Sequence, residues 1–292
     1  MRVTRDDGSA IAVEVVGEPG AVPVLLCHGL ADSRLSAQSF SQVAAELGLR
    51  VIAPDRPGTG GTDLRRLRRV VDWTQDAALV LDRLRVGSAA VVGVSGGGPF
   101  AAACAAAIPG RITSLTLIAP LGAPQWPTDG MAPGERMSLS LARQVPGFGG
   151  WFLGRLAALA RANPALFLRI ATSEMPGSDR RAIGQPGEPG LRDAFVANYT
   201  EAFRQGSQGV AQDLRVLTRS WGFRLDAIAV PTSIHHGDAD NTVPLQHARR
   251  YAAAIPGARL HVHSGQGHFS IITAAREMLA PLAGAPGAAG PG

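Results

Sequence analysis

Lysine is absent from this chain. All 28 basic residues among its 292 are arginine, set against 23 acidic ones, for a net charge of +5 and a pI near 10.4. Guanidinium groups stay protonated far above neutral pH, so arginine by itself lifts the pI. Together with abundant alanine, glycine and proline, the pattern looks like GC-rich coding, not a surface built for polyanions. The densest basic run, Arg65-Arg66-Leu67-Arg68-Arg69, has no interleaved aromatic on which a base could stack. It reads as a solvated face, and no nucleic-acid partner is expected. Cysteine is nearly absent too. Cys27 and Cys104 fall in a predicted strand and a predicted helix, where buried free thiols are expected and a disulfide is not. No charge-free apolar run reaches 18 residues, so no membrane span is expected. The opening Met1-Arg2-Val3-Thr4-Arg5-Asp6-Asp7-Gly8 is polar and lacks the pattern of a secretory leader. These absences point to a cytoplasmic protein.

What is present is apolar and ordered. Hydrophobic residues make up 46% and charged ones 17%, the balance of a globular chain. Short apolar strands are predicted at Ile11–Val16 (after a turn at Asp7-Gly8), Val22–Cys27, Arg50–Ala53, Ala89–Val94 and Ser114–Ala119. Helices are predicted between them at Arg34–Leu47, Trp73–Leu84 (with Asp72 as N-cap) and Pro99–Ile108. Such alternation predicts a mostly parallel sheet with helices on both faces. From Pro120 to Arg224 the strands stop. Helix-like stretches at Gly150–Arg161, Pro164–Thr172 and Leu191–Gln205 are separated by breaks such as Gly184-Gln185-Pro186-Gly187-Glu188-Pro189-Gly190. Alternation resumes with strands at Ala229–His235 and Arg259–His263 and helices near Gln246–Ala254 and Ile271–Leu282. The expected organisation is an α/β core of residues 1–119 and 225–282, a helical cap of 120–224, and a disordered tail of 283–292.

The most informative stretch is Gly93-Val94-Ser95-Gly96-Gly97, with a predicted strand before it and an alanine-rich helix after it. Strand, Gly-x-Ser-x-Gly, helix is a nucleophile elbow, in which a tight turn lifts a serine hydroxyl above the sheet edge. The glycines let strand and helix approach around a strained serine. The glycines of Gly58-Thr59-Gly60-Gly61 have no lysine after them to make a phosphate loop, and are expected to pass beside that elbow. A serine nucleophile needs a base and an acceptor to orient it, both on loops at the carboxyl ends of later strands. Asp238 and Asp240 follow one such strand, and His268 follows the next. The other histidines have structural readings. His261 and His263 alternate with Leu260 and Val262 on a strand, and His28 shapes its loop. His235 and His236 are adjacent in a strand and so face opposite ways; no metal site is expected.

In these motifs the chain resembles the α/β-hydrolase superfamily, of the capped serine hydrolase or esterase type. Cys27-His28-Gly29-Leu30 is similar to the His-Gly oxyanion loop. Asp55-Arg56-Pro57-Gly58-Thr59-Gly60-Gly61-Thr62 resembles the Asp-x-x-Gly-x-Gly-x-Ser loop, with threonine for serine. Gly237-Asp238-Ala239-Asp240-Asn241-Thr242-Val243-Pro244 resembles the acid loop, and Gly267-His268 the base. The resemblance implies an α/β-hydrolase fold with Ser95 as nucleophile, His268 as base, Asp240 (over its rival Asp238) as orienting acid, and the N–H groups of Leu30 and Gly96 as oxyanion hole. It implies no cofactor and no metal. A serine nucleophile argues against haloalkane dehalogenases and epoxide hydrolases; the latter also use two cap tyrosines, where this cap has Tyr199 alone. Gly96 stands where proline iminopeptidases usually carry tryptophan.

The expected activity is cleavage of a carboxylic ester, or a related acyl bond, of a small, mostly apolar substrate through an acyl-serine. The alternatives are a non-hydrolytic enzyme of the same fold (perhydrolase or cofactor-free haloperoxidase, acyltransferase, biosynthetic cyclase or lyase) and a binding module with a vestigial triad. Trp126, Phe148, Trp151, Phe152, Phe167, Phe195 and Phe203, with Met131, Met137 and Met175, are expected to pack the cap helices, some of them lining the pocket.

Overall fold

A computed structural model describes residues 1–145, 148–184 and 189–283. Its sheet has eight strands: β1 (Arg2–Thr4), β2 (Ala10–Val16), β3 (Val22–Cys27), β4 (Leu49–Pro54), β5 (Ala89–Val94), β6 (Ile112–Ile118), β7 (Thr232–Gly237) and β8 (Arg259–His263). The order across the sheet is β1-β2-β4-β3-β5-β6-β7-β8. The β1–β2 and β2–β4 pairs are antiparallel and the others parallel, the α/β-hydrolase arrangement. The turn at Asp7-Gly8 joins β1 to β2, with Gly8 at φ 83°.

Side-chain alternation sorts each strand between two cores. Leu25, Ile52, Val91, Leu117 and Ile234 face α2 (Thr74–Arg83), α3 (Gly98–Ala107) and α10 (Leu245–Ala254) around Trp73, Phe100 and Tyr251. Val24, Leu26, Val92 and Ile118 face the other way, onto α1 (Ser41–Leu47) and α11 (Ala275–Leu279). Each fully buried Leu or Ile is worth about 1.5–3 kcal/mol. Four of the six alanines of α3 are buried (Ala101, Ala102, Ala103 and Ala105), and their size lets this helix lie close under the sheet. Cys27 and Cys104 are both buried and free.

Between β6 and β7 the described residues contain helices and no strand: α4 (Pro133–Gln144), α5 (Phe148–Ala162), α6 (Pro164–Ala171), α7 (Gly177–Gly184), α8 (Pro189–Ala202) and α9 (Gln208–Leu217). Three of these, α4, α7 and α9, add to the stretches expected. Residues 284–292 of the expected disordered tail, and 185–188 of the proline–glycine break, lie outside the described residues.

Several local expectations are corrected. The helix predicted over Arg34–Leu47 is a 3-10 turn, Arg34–Phe40, followed by α1; the last helix is likewise split, with α11 between 3-10 turns Ser270–Ala274 and Ala280–Leu282. Asp72 does not cap α2. Its carboxylate accepts from the N–H groups of Arg68 and Arg69, one turn upstream, because the chain enters the helix through a 3-10 turn at Val70–Trp73. The glycines of the 58–61 loop meet other neighbours than the serine turn. A Cβ on Gly58 would lie 2.9 Å from Gly209 Cα in α9, and one on Gly60 would lie 2.2 Å from the Asp55 carboxylate.

Candidate functional site

The sheet changes direction between β3 and β5: the chain runs outward from β3 to β4 and returns to β5 on the other side. Loops leaving the carboxyl ends of β3 and β5 must therefore diverge, and they open a crevice there. Ser95 stands at this point, directly after β5, with φ 52°. A non-glycine residue in this region stores about 1–3 kcal/mol of strain. The neighbouring glycines are sterically required. A Cβ on Gly93 would sit 2.6 Å from Ala101 Cβ, and one on Gly97 would sit 2.0 Å from the Cys27 carbonyl oxygen.

Ser95 Oγ lies 3.0 Å from His268 Nε2, and His268 Nδ1 lies 2.8 Å from Asp240 Oδ2. The Asp240 side chain is fully buried. Its Oδ1 accepts from the N–H groups of Thr242 and Val243, both at 2.9 Å, which fixes the carboxylate in its turn. Burial alone would raise the Asp240 pKa. The charge of His268 and hydrogen bonds from His236 and His268 outweigh burial and hold it well below the usual carboxylate range. Burial works against protonation of His268. The Asp240 carboxylate prevails, helped by Asp179 and Glu135, and the imidazole pKa is raised. Asp238, the rival acid, is exposed and bonded instead to Ser264 Oγ and the Gly265 N–H.

The backbones of Leu30 and Gly96 come close together beside Ser95, and both residues border the cavity described below. A Cβ on Gly96 would lie 2.9 Å from Leu30 N. Neither N–H has a protein acceptor among the described residues. The loop carrying Leu30 is held from below by Arg56, which is fully buried. Its two terminal nitrogens donate to the carbonyls of His28 and Gly29, each at 2.6 Å, and its Nε donates to Asp213 of α9 at 2.7 Å. The guanidinium also sits 4.6 Å above the Phe100 ring. His28 is neutral and structural: burial and Arg56 push its pKa down, and its Nε2 accepts from the Arg56 N–H.

A cavity of about 380 Å³ opens over Ser95 and His268, within the range of small-molecule sites. Its walls are mainly apolar, with Leu30, Leu121, Leu153, Leu156 and Leu214 among them. Of the aromatics and methionines singled out in the sequence, Phe167, Phe195, Met131 and Met175 line it. Trp126 packs instead on Trp221 and Tyr251, while Trp151, Phe152 and Met137 are exposed. Asp32 and Glu135 are the carboxylates on the wall. Burial raises Asp32 to about 6 against hydrogen bonds from the N–H groups of Gly29 and Ser33. Glu135 borders the cavity but is exposed, and its carboxylate makes no hydrogen bond among the described residues.

His235, His261 and His263 gather on one face at the β7–β8 edge. The rings of His235 and His261 stack at 4.6 Å, and His235 Nδ1 lies 3.1 Å from His263 Nε2. His236 faces the other way, 3.3 Å from Asp240 Oδ2, a contact not foreseen from the sequence. Among the described residues, no three His, Cys, Asp or Glu side chains converge as a metal-ligand set. No helix among them is long and apolar enough to cross a membrane.

The family described as alpha/beta hydrolase fold matches residues 22–275 of this chain. The chain belongs to the α/β-hydrolase family. A poly(3-hydroxyalkanoate) depolymerase of Ectopseudomonas oleovorans is 29% identical over 285 residues, 97% of this chain and 90% of that protein. A 2-hydroxymuconate semialdehyde hydrolase of Pseudomonas putida is 28% identical over 261 residues, 86% of this chain and 82% of the other. Among solved structures, a hydrolase from Pseudomonas aeruginosa superimposes with a TM-score of 0.70 at 20% identity over 98% of both chains, a likeness of fold. These α/β-hydrolase relatives are enzymes, and they mark the chain as an enzyme of the same family.

The Ser95 turn, the Asp240 loop and the His268 loop are each legible from sequence. The Arg56–Asp213 support and an α7 carboxylate, Asp179, that binds the His268 loop are not. Their partners lie 157 and 89 residues away, and neither aspartate sits in a motif.

Proposed function

We propose that this α/β-hydrolase is a serine hydrolase that cleaves a carboxylic ester of a small, mostly apolar substrate through an acyl-serine. The supporting observation is the continuous relay Ser95 Oγ, His268, Asp240, at 3.0 and 2.8 Å, on the floor of an apolar cavity. In this reading His268 Nε2 takes the Ser95 proton as Oγ attacks the carbonyl carbon. The imidazolium that forms is stabilised by Asp240 and then protonates the leaving alcohol. The N–H groups of Leu30 and Gly96 donate to the oxyanion, each worth about 10²–10³ in rate. Water, activated by the same imidazole, hydrolyses the acyl-serine. The helical insertion acts as a cap whose apolar wall selects the acyl chain.

The test is labelling with a fluorophosphonate, together with turnover of a panel of p-nitrophenyl esters, thioesters and lactones, by wild type and Ser95→Ala. Label and turnover that both require Ser95 support the proposal. Label without ester or thioester turnover redirects it to non-hydrolytic chemistry, and absence of label refutes the nucleophile.

A further inference from the structure

Within the relay His268 has one carboxylate partner, Asp240. A second carboxylate reaches the same loop from the insertion. Asp179 of α7 is fully buried. Its Oδ2 accepts from the His268 N–H at 2.8 Å, and its Oδ1 accepts from the N–H groups of Phe269 and Ser270 at 3.1 and 2.9 Å and from the Ser270 hydroxyl at 2.8 Å. Ser270 Oγ in turn accepts from the Gly267 N–H at 2.7 Å. The hydrogen-bond partners of Asp179 among the described residues thus all lie on the loop that carries the imidazole. A Cβ on Gly267 would fall 2.4–2.5 Å from the atoms of that carboxylate. The glycine before His268 is therefore required by the approach of Asp179.

We propose that Asp179 is the positioning residue of the general base, so that the helical insertion, through one carboxylate, fixes where the His268 imidazole stands relative to Ser95. The proposal rests on the reading of His268 as base. The loop carries three consecutive N–H donors, and a buried carboxylate that receives all of them leaves the loop no competing arrangement. A rate that depends on a 3.0 Å contact falls about 10²-fold for a displacement near 1 Å. Asp179 also acts through its charge. The groups facing His268 are Asp240 from the loop after β7, Asp179 from α7, Glu135 from α4 and the neutral Ser95 hydroxyl; the three carboxylates favour the imidazolium against burial.

The experiment replaces Asp179 by asparagine in the full chain. That side chain keeps the size, removes the charge and turns an N–H₂ group toward the loop donors. Two quantities are read: the His268 imidazole pKa by NMR titration, assigned with His268→Gln, and kcat and KM on a p-nitrophenyl ester. The expected result is an imidazole pKa lower by about half a unit or more and a kcat lower by about 10- to 100-fold with KM nearly unchanged. Asp238→Asn, which removes an exposed carboxylate bonded to the Gly265 N–H, should move neither. If Asp179→Asn does not fold, Gly267→Ala must carry both changes, because its methyl displaces the same carboxylate. Wild-type imidazole pKa and kcat in whichever variant folds overturn the proposal. Failure of both to fold overturns it as well, by making Asp179 a folding residue only. A wild type that neither labels nor turns over esters refutes the esterase reading separately, while the titration still decides what Asp179 does to His268.

Discussion

Replacing Asp213 by alanine should cost this protein more stability than removing both members of its ion pair. The Arg56 and Asp213 side chains are 0% and 1% exposed, and their nitrogen and oxygen stand 2.7 Å apart. Burial raises the Asp213 pKa even with Arg56 beside it, so desolvation outweighs the attraction. The pair is then a poor source of net stability, yet each half is costly alone. Asp213→Ala leaves a buried guanidinium without its counter-charge, a loss of about 3–5 kcal/mol, a large part of the roughly 5–15 kcal/mol that holds a domain folded. The double variant Arg56→Met/Asp213→Leu replaces the pair with apolar volume and should recover part of that loss, the remainder being the cost of the His28 and Gly29 carbonyls left without their donors. Activity should not recover with it. The carbonyls of His28 and Gly29, now without the guanidinium, no longer hold the Leu30 loop in place, and in the proposed mechanism loss of an oxyanion donor costs about 10²–10³ in kcat. Urea unfolding followed by tryptophan fluorescence, and ester kinetics on the three proteins, give both numbers. A single variant that loses less than about 1 kcal/mol, or a double variant no more stable than the single, would refute this account of the buried pair.

Further outcomes follow from the relay. Ser95→Ala and His268→Ala should each lower kcat by about 10⁴- to 10⁶-fold. Asp240→Asn should cost less than these and far more than Asp238→Asn, and steady-state kinetics showing the reverse ranking would move the acid to Asp238. The proposed cycle needs a neutral imidazole, and the His268 pKa is raised from its usual 6.5. The acid limb of kcat/KM should therefore have its midpoint above that value, instead of activity falling only below about pH 6 as an unperturbed imidazole suggests. The same shift has a stability sign. A raised folded pKa contributes stability that is fully present below about pH 6.5 and lost as pH rises through the folded value, which denaturation at several pH values measures. A chelator should leave ester turnover unchanged, since no step in the proposed cycle involves a metal.

The legible part of this protein is its local part. The Ser95 turn announces itself because strand, glycines and helix are contiguous, although Gly96 and Gly97 answer to Leu30 and Cys27, in the loop after β3 and at the end of that strand. Asp240 and His268 could be found because a parallel sheet brings every post-strand loop to one rim. The insertion is less legible. Helix α9 carries Val210, Leu214 and Leu217 at helical spacing, an apolar stripe visible in sequence, whereas α4 opens on Pro133-Gly134 and is mostly polar. Asp179 and Asp213 show nothing in sequence. Each is an ordinary acidic residue in a helix until folding brings it against a loop of the core. The split of the helix expected at 34–47 has the same cause: Ser33 caps a 3-10 turn locally, and Arg34 is drawn to Asp55 and Glu201.

Asp179 and Asp213 also bear on engineering. Someone wishing to alter substrate range would graft the α4–α9 segment of a relative onto this sheet, treating it as an interchangeable roof. That roof contains two of the struts under the floor. A transplant lacking acids at these two places would deliver a new chamber above a slack His268 loop and an unsupported Leu30 loop, and its poor turnover would be blamed on the wrong chamber shape.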